Sequence, residues 1–267
     1  MQVALHLNCL LFSPPPQKIF RSHRLHFQDC RGHVCHCRLP LLLMYHPMMP
    51  AVRPRFERDY GELLIDEVQD FAGHDFNFLL KLCEANVSVV LAGDFYQHSF
   101  ETSRDGNTNA SLHDDFHRYK MRFRTAGITP DLETLSRTWR CSQAVCDFIF
   151  GHLNIGIEAH GLHETQIETI SDRARAVALH ADDRIIRLFF KEHHRYGCHS
   201  MNRGASKGLD HFRDVCIVPG TAHWRLFIEE KLSELPASSR NQLYVACSRA
   251  RENITFIPAT LLRPFRT

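Results

Sequence analysis

A short apolar strand that ends in two adjacent carboxylates constrains this chain most strongly. Residues 62–70 read Glu-Leu-Leu-Ile-Asp-Glu-Val-Gln-Asp, so three apolar residues lead directly into Asp66 and Glu67. Ligand chemistry in open α/β sheets concentrates at the carboxyl ends of parallel strands. At such an edge, one carboxylate can hold Mg²⁺ and the next can orient an attacking water. Taken alone, such a pair is more often a solvated strand end, so its meaning depends on the segments that follow.

A second strand of the same kind comes next. Residues 87–97 read Val-Ser-Val-Val-Leu-Ala-Gly-Asp-Phe-Tyr-Gln, an apolar and β-branched run that ends at Gly93 and reaches Gln97. The stretch between the two strands accommodates one helix, predicted at about residues 75–85, and parallel strands require such a crossover. A Gln amide can donate to a phosphate oxygen and accept from a water, so Gln97 is a candidate nucleotide sensor. The pattern therefore predicts an α/β fold with polar groups at the strand ends.

Three further segments carry charged or small polar residues at the edges of predicted elements. They are residues 135–142, with Arg140; residues 206–210, with Ser206, Lys207, Gly208 and Asp210; and residues 243–251, with Arg249. A guanidinium is always charged and binds phosphate bidentately, which suits the two arginines to a phosphate site. Each segment alone is also compatible with a solvated surface, and it is the order of all five that makes the pattern specific.

In this order the five segments resemble motifs II to VI of UvrD/Rep-type superfamily 1 DNA helicases. Asp-Glu-Val-Gln-Asp resembles the Walker B segment, Gly-Asp-x-x-Gln resembles motif III, and Leu-Tyr-Val-Ala-Cys-Ser-Arg-Ala-Arg resembles motif VI. The resemblance covers about residues 60–258. It implies RecA-like α/β domains of the P-loop NTPase fold, with parallel sheets flanked by helices. It also implies ATP and Mg²⁺ as cofactors, and single-stranded or partly duplex DNA as the partner.

The resemblance implies roles for the residues that match the catalytic motifs. Asp66 would hold Mg²⁺, and Glu67 would activate the attacking water. Gln97 would sense the γ-phosphate, while Arg140 and Arg249 would clamp it, the latter as an arginine finger.

The remaining matches fall on the nucleotide and the nucleic acid. Gly208 and Asp210 would lie on the nucleotide side, and Asp210 is shorter by one methylene than the Glu that is usual there. Ser206 and Lys207 would contact nucleic acid. Phe100 stands where the family has an aromatic that stacks on a base, a contact worth roughly 1–3 kcal/mol. An ordinary core aromatic is the alternative interpretation of this residue.

The loop that cradles the phosphates in this family is missing from the sequence. No segment matches Gly-x-x-x-x-Gly-Lys-Ser/Thr, and the first 59 residues contain one glycine, Gly32. Backbone N–H groups and the lysine of that loop supply much of the triphosphate binding. We therefore interpret the chain as an N-terminally truncated copy, with little or no ATPase activity of its own and with apolar faces left uncovered.

The predicted organisation has three parts. Residues 1–59, which include a Pro-Pro-Pro run, are expected to form an irregular, poorly ordered leader. Residues 60–128 would be the C-terminal part of RecA-like domain 1, and residues 129–267 would be RecA-like domain 2, without the 2B insertion of larger relatives. Helices are predicted at residues 111–126, 142–150 and 243–250, strands at residues 132–135, 214–218 and 254–257, and either element at residues 183–190.

Composition and charge indicate which binding partners and which cellular location to expect for the chain. The formal net charge is +2, so nucleic-acid binding would depend on a local groove rather than on global charge. Ten scattered cysteines favour free thiols and a cytoplasmic location. No membrane span is expected, because the apolar run at residues 3–12 is too short. Two groups contain candidate zinc ligands. The first lacks zinc-finger spacing, so a poorly ordered leader is the favoured interpretation: Cys30, His33, Cys35, His36 and Cys37. The second lies in a polar run, so a solvated loop is favoured: His193, His194, Cys198 and His199.

Two further classes of function stay open at this point. The chain could be a non-catalytic module, derived from a helicase, that binds single-stranded nucleic acid or protein. Alternatively, it could be one subunit of a split ATPase, in which a partner chain supplies the P-loop.

Overall fold

The structure is a computed structural model that describes residues 10–11, 26–29, 31, 33–45, 48–100, 102, 106–161 and 163–267. The chain divides into two compact units. The first unit comprises residues 1–93 and 101–129, and the second comprises residues 94–100 and 130–267. The predicted division between residues 128 and 129 therefore lies one residue from the division between the units, but residues 94–100 belong to the second unit.

The first unit is built on short parallel strand pairs with helices between them. Its elements are β1 (Leu10–Leu11), β2 (Val34–Cys35), α1 (Leu39–Tyr45), α2 (Met49–Asp59), β3 (Glu62–Ile65), α3 (Gly73–Leu82), β4 (Ser88–Leu91) and α4 (Phe116–Thr125). Strand β1 pairs with β2, and β3 pairs with β4, in parallel in both cases. The crossover helix α3 between β3 and β4 matches the helix expected there. The helices α1 and α2 fall where an irregular leader was predicted, and most of residues 1–33 lie outside the described residues.

One face of the β3–β4 pair presents two apolar side chains to solvent. Leu64 and Val90 are register partners, and they are 64% and 51% exposed. Their neighbours in sequence are half-buried, so each strand alternates between a covered and an uncovered face. The expectation of uncovered apolar faces on this sheet is confirmed for these two residues.

The second unit contains a five-stranded parallel sheet. Its elements are β5 (Arg137–Thr138), α5 (Gln143–Leu153), β6 (Glu158–Ala159), β7 (Ile167–Thr169), α6 (Arg173–Ala181), β8 (Ile186–Phe189), β9 (Ser200–Asn202), β10 (Val215–Val218), α7 (Thr221–Ile228), α8 (Ala237–Cys247), β11 (Ile254–Phe256) and α9 (Ala259–Leu262). The sheet has the order β7-β11-β10-β8-β9, and β5 and β6 form a separate parallel pair.

Helices cover both faces of this sheet. One core cluster joins alternate residues of β8, β10 and β11 to α5 and α8, and a second joins the other face of β8 and β10 to α6 and α9. Strands β8 and β10 are buried along their whole length, as is usual for strands of a parallel sheet that is covered on both sides. The predicted fold class, α/β with parallel sheets flanked by helices, is confirmed.

Local hydrogen bonding explains where the predicted elements differ from the observed ones. No strand forms at residues 132–135, because the Asp131 carboxylate accepts bonds from the amides of Glu133 and Thr134 and from the Thr134 hydroxyl. Helix α4 begins after Asp115, whose side chain accepts from the Arg118 amide, so residues 111–115 are not helical. Helix α8 starts earlier than predicted, at Ala237, and residues 183–190 contain a strand.

Eight cysteines of the described residues are free, and burial raises the pKa of the Cys216 thiol to about 12. None of the helices in the described part of the chain combines the length and the apolar character that crossing a membrane requires.

Candidate functional site

The two carboxylates of the first strand sit on a tight turn that directly follows β3. Asp66 is exposed, and its Oδ1 accepts from the Glu67 amide at 2.8 Å. Glu67 adopts a left-handed conformation, with φ 54° and ψ 41°, and the buried Gln69 side chain donates to its carboxylate. A non-glycine residue in this conformation costs of order 1–3 kcal/mol and persists only where neighbours hold it. The turn therefore fixes the Glu67 side chain and leaves the Asp66 carboxylate open to solvent.

Gly93 is needed for the close approach of the two strand ends in the first unit. A Cβ atom at Gly93 would overlap the Gln69 side-chain oxygen and would lie 3.0 Å from the Val68 backbone nitrogen. The Val68 amide also donates to the Ala92 carbonyl at 2.9 Å. The glycine thus lets the end of β4 pack directly on the turn that carries Asp66.

Asp94 organises the segment that follows, which belongs to the second unit. Its carboxylate accepts from the Tyr96 amide at 3.0 Å, from Gln97 Nε2 at 3.1 Å and from the Tyr244 hydroxyl at 2.6 Å. Tyr244 lies on α8, so this carboxylate connects segment 94–100 to the helix that leads to Arg249.

Gln97 and Arg249 are in direct contact although they are 152 residues apart in sequence. Gln97 Oε1 accepts from Arg249 Nη2 at 3.3 Å. Arg249 is fully buried, and it also donates to the carbonyls of Val245 and Leu209, both at 3.2 Å, and to Ser248 Oγ at 3.1 Å. The guanidinium is therefore held inside the second unit, rather than extended towards solvent as an arginine finger would require.

Arg140 and Asp210 line one open cavity of about 620 Å³. The other lining residues are Trp139, His163, Glu164, Arg251 and Glu252. Arg251 Nη2 donates to Asp210 Oδ2 at 3.4 Å, so this carboxylate is already paired with an exposed cation. Two guanidinium groups and an aromatic ring in one cavity can bind a phosphate and a flat ring, respectively.

Trp139 is a candidate site residue that the sequence reasoning missed. It is 76% exposed, and its ring stacks on His160 with a centroid distance of 3.3 Å and an interplanar angle of 20°. An exposed Trp with one face stacked on a second ring can accept another flat group, such as a base, on its free side. Its position immediately before Arg140 is the signal that identifies it.

The loop at residues 206–210 presents some of its predicted contacts and buries others. Gly208 has φ +78°, a conformation that glycine adopts without strain. Ser206 is fully buried, and its hydroxyl donates to the Arg203 carbonyl at 2.7 Å, so it shapes the loop instead of facing a ligand. Lys207 is partly exposed. Phe100 is 64% exposed, which excludes the alternative of a core aromatic.

Phe100 adjoins this loop within the second unit. The hydroxyl of its neighbour Ser99 donates to the Gly204 carbonyl at 3.4 Å. Segment 94–100, which ends at the exposed Phe100, thus contacts the residue two positions before Ser206.

The members of the two candidate zinc groups that the structure describes do not come together as a metal site. The described residues contain no cluster of three or more His, Cys, Asp or Glu side chains that could hold a metal. His193 Nδ1 is 3.3 Å from Ser200 Oγ, and His199 Nδ1 is 2.9 Å from the Asp183 carbonyl. Both rings therefore form hydrogen bonds with nearby polar groups. Cys30 of the first group lies outside the described residues, and His33 bonds to Asp29.

Comparisons with known proteins give structural similarities only. Neither the protein-family models nor the curated proteins include a match to the chain. Among solved structures, the complex of Arterivirus nonstructural protein 10 (helicase) with DNA has 18% identity, covers 75% of this chain and 40% of that chain, and has a TM-score of 0.47. The crystal structure of the same Arterivirus helicase has 18% identity, coverages of 78% and 42%, and a TM-score of 0.47.

A PRRSV helicase structure is similar at the same level, with 18% identity, coverages of 74% and 34%, and a TM-score of 0.44. This chain spans less than half the length of each of these three helicases. At this identity, and with TM-scores below 0.5, the similarity establishes neither a family nor an activity for the chain.

Proposed function

We propose that this chain is derived from a superfamily 1 helicase of the UvrD/Rep-like type, with RecA-like domains, and that it binds single-stranded nucleic acid with little or no ATPase activity of its own. The observation that carries the proposal is the hydrogen bond between Gln97 and Arg249. These two residues match motifs III and VI, which cooperate at one phosphate in the resemblance, and the second unit brings them together across 152 residues of sequence. The proposed location, the cytoplasm, stays a prediction.

The residues of the chain fit ATP and Mg²⁺ in part. Trp139, Arg140 and Asp210 would face the base, a phosphate and the ribose, and the exposed Asp66 carboxylate suits Mg²⁺, which prefers oxygen ligands. When bound, Mg²⁺ would neutralise charge on the phosphates. The sequence has no Gly-x-x-x-x-Gly-Lys-Ser/Thr loop to cradle them, and Arg249 is engaged internally. Weak nucleotide binding by this chain alone follows from these two facts.

The proposal predicts that ATP hydrolysis stays at background. We expect the purified chain, with and without single-stranded DNA, to hydrolyse ATP no faster than the Asp66→Ala, Glu67→Ala double variant. The physical reason is that phosphoryl transfer depends on positioned phosphate contacts, most of which come from the missing loop. The measurement is phosphate release over time at saturating ATP and Mg²⁺. DNA-stimulated release that the double variant abolishes would contradict the prediction and mean that another segment replaces the loop.

Single-strand binding tests the nucleic-acid part of the proposal. We expect Phe100→Ala to weaken binding of oligothymidylate and oligoadenylate by similar factors, between about 5-fold and 150-fold, since stacking is worth roughly 1–3 kcal/mol per base and tolerates any base. Fluorescence anisotropy of labelled oligonucleotides measures both affinities. Val90→Ala is the control, because it shortens an exposed apolar residue outside the proposed surface. Equal affinities of Phe100→Ala and the wild-type chain would remove the stacking role.

A split ATPase is the second candidate, and the open face of the β3–β4 pair favours it. Leu64 and Val90 expose apolar side chains on one face of this strand pair. A partner chain that contains a P-loop would cover this face and supply the phosphate contacts. Co-purification of a chain with a Gly-x-x-x-x-Gly-Lys-Thr segment, lost in a Leu64→Glu variant, would support this function, and ATPase activity reconstituted from the two chains would establish it.

A further inference from the structure

Arg203, the first residue after β9, is a buried cation without a counter-charge. Its side chain is 0% exposed, and its Nε and Nη1 groups have no hydrogen-bond partner. Nη2 donates to His223 Nδ1 at 3.3 Å, and the guanidinium carbon lies 4.9 Å from the centre of the Phe190 ring. Burial lowers the pKa of Arg203 to about 10, so it stays charged at neutral pH. No carboxylate of the described residues forms an ion pair with it.

A buried charge without a counter-charge is costly, and a nearby anion offsets part of that cost. Each buried donor left without a partner adds to this cost, and more when the group is charged. In folded proteins, buried unsatisfied groups of this kind call for a specific explanation, and an ion is one of the usual ones. The buried positive charge of Arg203 therefore favours the binding of an anion in its surroundings.

The surroundings of Arg203 lie at the carboxyl ends of three adjacent parallel strands. Phe190 follows β8, Arg203 follows β9, and Gly220 follows β10 by two residues. A Cβ atom at Gly220 would lie only 3.2 Å from the Phe190 ring, so the start of α7 is seated on that ring. This edge of a parallel sheet is where α/β folds bind ligands.

The first turn of α7 adds a positive end to this edge. Gly220 is its N-cap and provides no side-chain bond to the helix amides, and Thr221 is exposed. Amides at a helix N-terminus carry a partial positive charge and bind anions. His223 is in this turn, and its Nδ1 accepts from Arg203 Nη2. The buried guanidinium, which has no counter-charge, and the uncapped helix start thus both favour an anion here.

Lys191 supplies a cation at the rim of the same region. Its side chain lies over the Phe190 ring, with Nζ 5.1 Å from the ring centre, and the residue is exposed. The carboxylate nearest in sequence, Glu192, forms ion pairs with Arg195 and Arg266. Burial is the main cause that lowers the pKa of His223 to about 4, and the charges of Arg203 and Lys191 add to it.

We propose that the first turn of α7, with Lys191 at its rim and Arg203 beneath it, binds a phosphate group. The direct ligands are the amides of the first turn, the Thr221 hydroxyl and the Lys191 ammonium. Arg203 acts through its field, because its donors do not reach the surface. The phosphate has two sources, a free phosphate or the backbone of a single-stranded nucleic acid. The site requires neither ATP hydrolysis nor the helicase assignment.

The test compares Lys191, near the N-terminal end of α7, with Lys231, beyond the C-terminal end of the same helix. We expect Lys191→Glu to weaken the binding of inorganic phosphate at least tenfold, and Lys231→Glu, beyond the C-terminal end of the helix, to change it less than twofold. Arg203→Gln removes the buried charge and keeps a donor, and it should weaken phosphate binding by about as much as Lys191→Glu. Isothermal titration calorimetry at pH 7 measures the affinities, with sodium chloride at equal ionic strength as the reference.

A second arm distinguishes the two sources of the phosphate. Anisotropy of a labelled oligothymidylate is measured for the same variants, and the outcome is read beside that of Phe100→Ala. Weaker oligonucleotide binding by Lys191→Glu than by Lys231→Glu assigns the site to backbone phosphate. Unchanged oligonucleotide binding, together with the loss of inorganic phosphate binding, assigns it to a free phosphate. Equal phosphate affinities of Lys191→Glu, Arg203→Gln and Lys231→Glu would overturn the proposal, whatever Phe100→Ala does.

Discussion

Replacing Arg249 with alanine is expected to lower the free energy of unfolding of the second unit by about 3–5 kcal/mol. The guanidinium is buried and donates to two main-chain carbonyls, to Gln97 and to Ser248. Its removal leaves these acceptors buried without a partner and opens a cavity behind α8. Urea unfolding followed by tryptophan fluorescence measures the effect, because both tryptophans of the chain, Trp139 and Trp224, lie in the second unit.

Arg251→Ala is the matched control for this prediction. Arg251 is two residues further along the chain, and its side chain is 57% exposed in its pair with Asp210. Exposed pairs contribute about 0–1 kcal/mol, so this variant should unfold close to the wild-type chain. If Arg249→Ala were as stable as Arg251→Ala, the internal bonds of Arg249 would not be formed in solution, and the residue would be available as the arginine finger that the motif implies.

The predictable part of the fold is the part that short-range patterns specify. Strand β10 (Val215–Val218) forms within the predicted range 214–218 because its apolar and β-branched side chains fill a site covered on both faces. Helix α5 begins where Ser142 caps it, with its side chain accepting from the Val145 amide, and it ends at Asn154, which takes a left-handed conformation. In both cases the residues that determine the element are within a few positions of it in sequence.

The candidate site was predictable in its residue types but not in their exposure. Gln97 and Arg249 were selected from separate motifs, and the structure brings them into contact. That Arg249 would be buried and Ser206 would turn to the main chain depends on carbonyls contributed by distant segments. A motif specifies which side chains are present. The packing of the whole unit decides which of them reach solvent.

Arg203 illustrates a feature that no sequence pattern indicates. It is three residues before Ser206, in a polar stretch that is typical of an exposed loop. Its burial follows from the way β8, β9 and β10 end together beneath the start of α7. Only the three-dimensional arrangement identifies it as a charge without a partner.

Protonation of His223 is expected to destabilise the folded chain as the pH falls. Its pKa is about 4 in the folded chain, lowered by burial and by the charges of Arg203 and Lys191, against 6.5 as its ordinary value. The unfolded chain therefore binds this proton at a higher pH than the folded chain does. Stability from the neutral imidazole is fully present above pH 6.5 and is lost progressively as the pH falls to about 4. The shift corresponds to about 3 kcal/mol of unfolding free energy over this range.

The measurement compares urea unfolding at pH 7, 6, 5 and 4 for the wild-type chain and for His223→Asn. Asparagine does not titrate, and its side-chain oxygen can accept from Arg203 in place of Nδ1. Carboxylates contribute equally to both proteins, so the difference between the two curves isolates His223. We expect the wild-type chain to lose about 3 kcal/mol more than the variant between pH 7 and pH 4.

His194→Asn, at an exposed histidine of the same unit, controls for the loss of an imidazole. Parallel curves for the wild-type chain and His223→Asn would mean that His223 is not held beside an unpaired cation, and the same result would remove the electrostatic basis of the phosphate site.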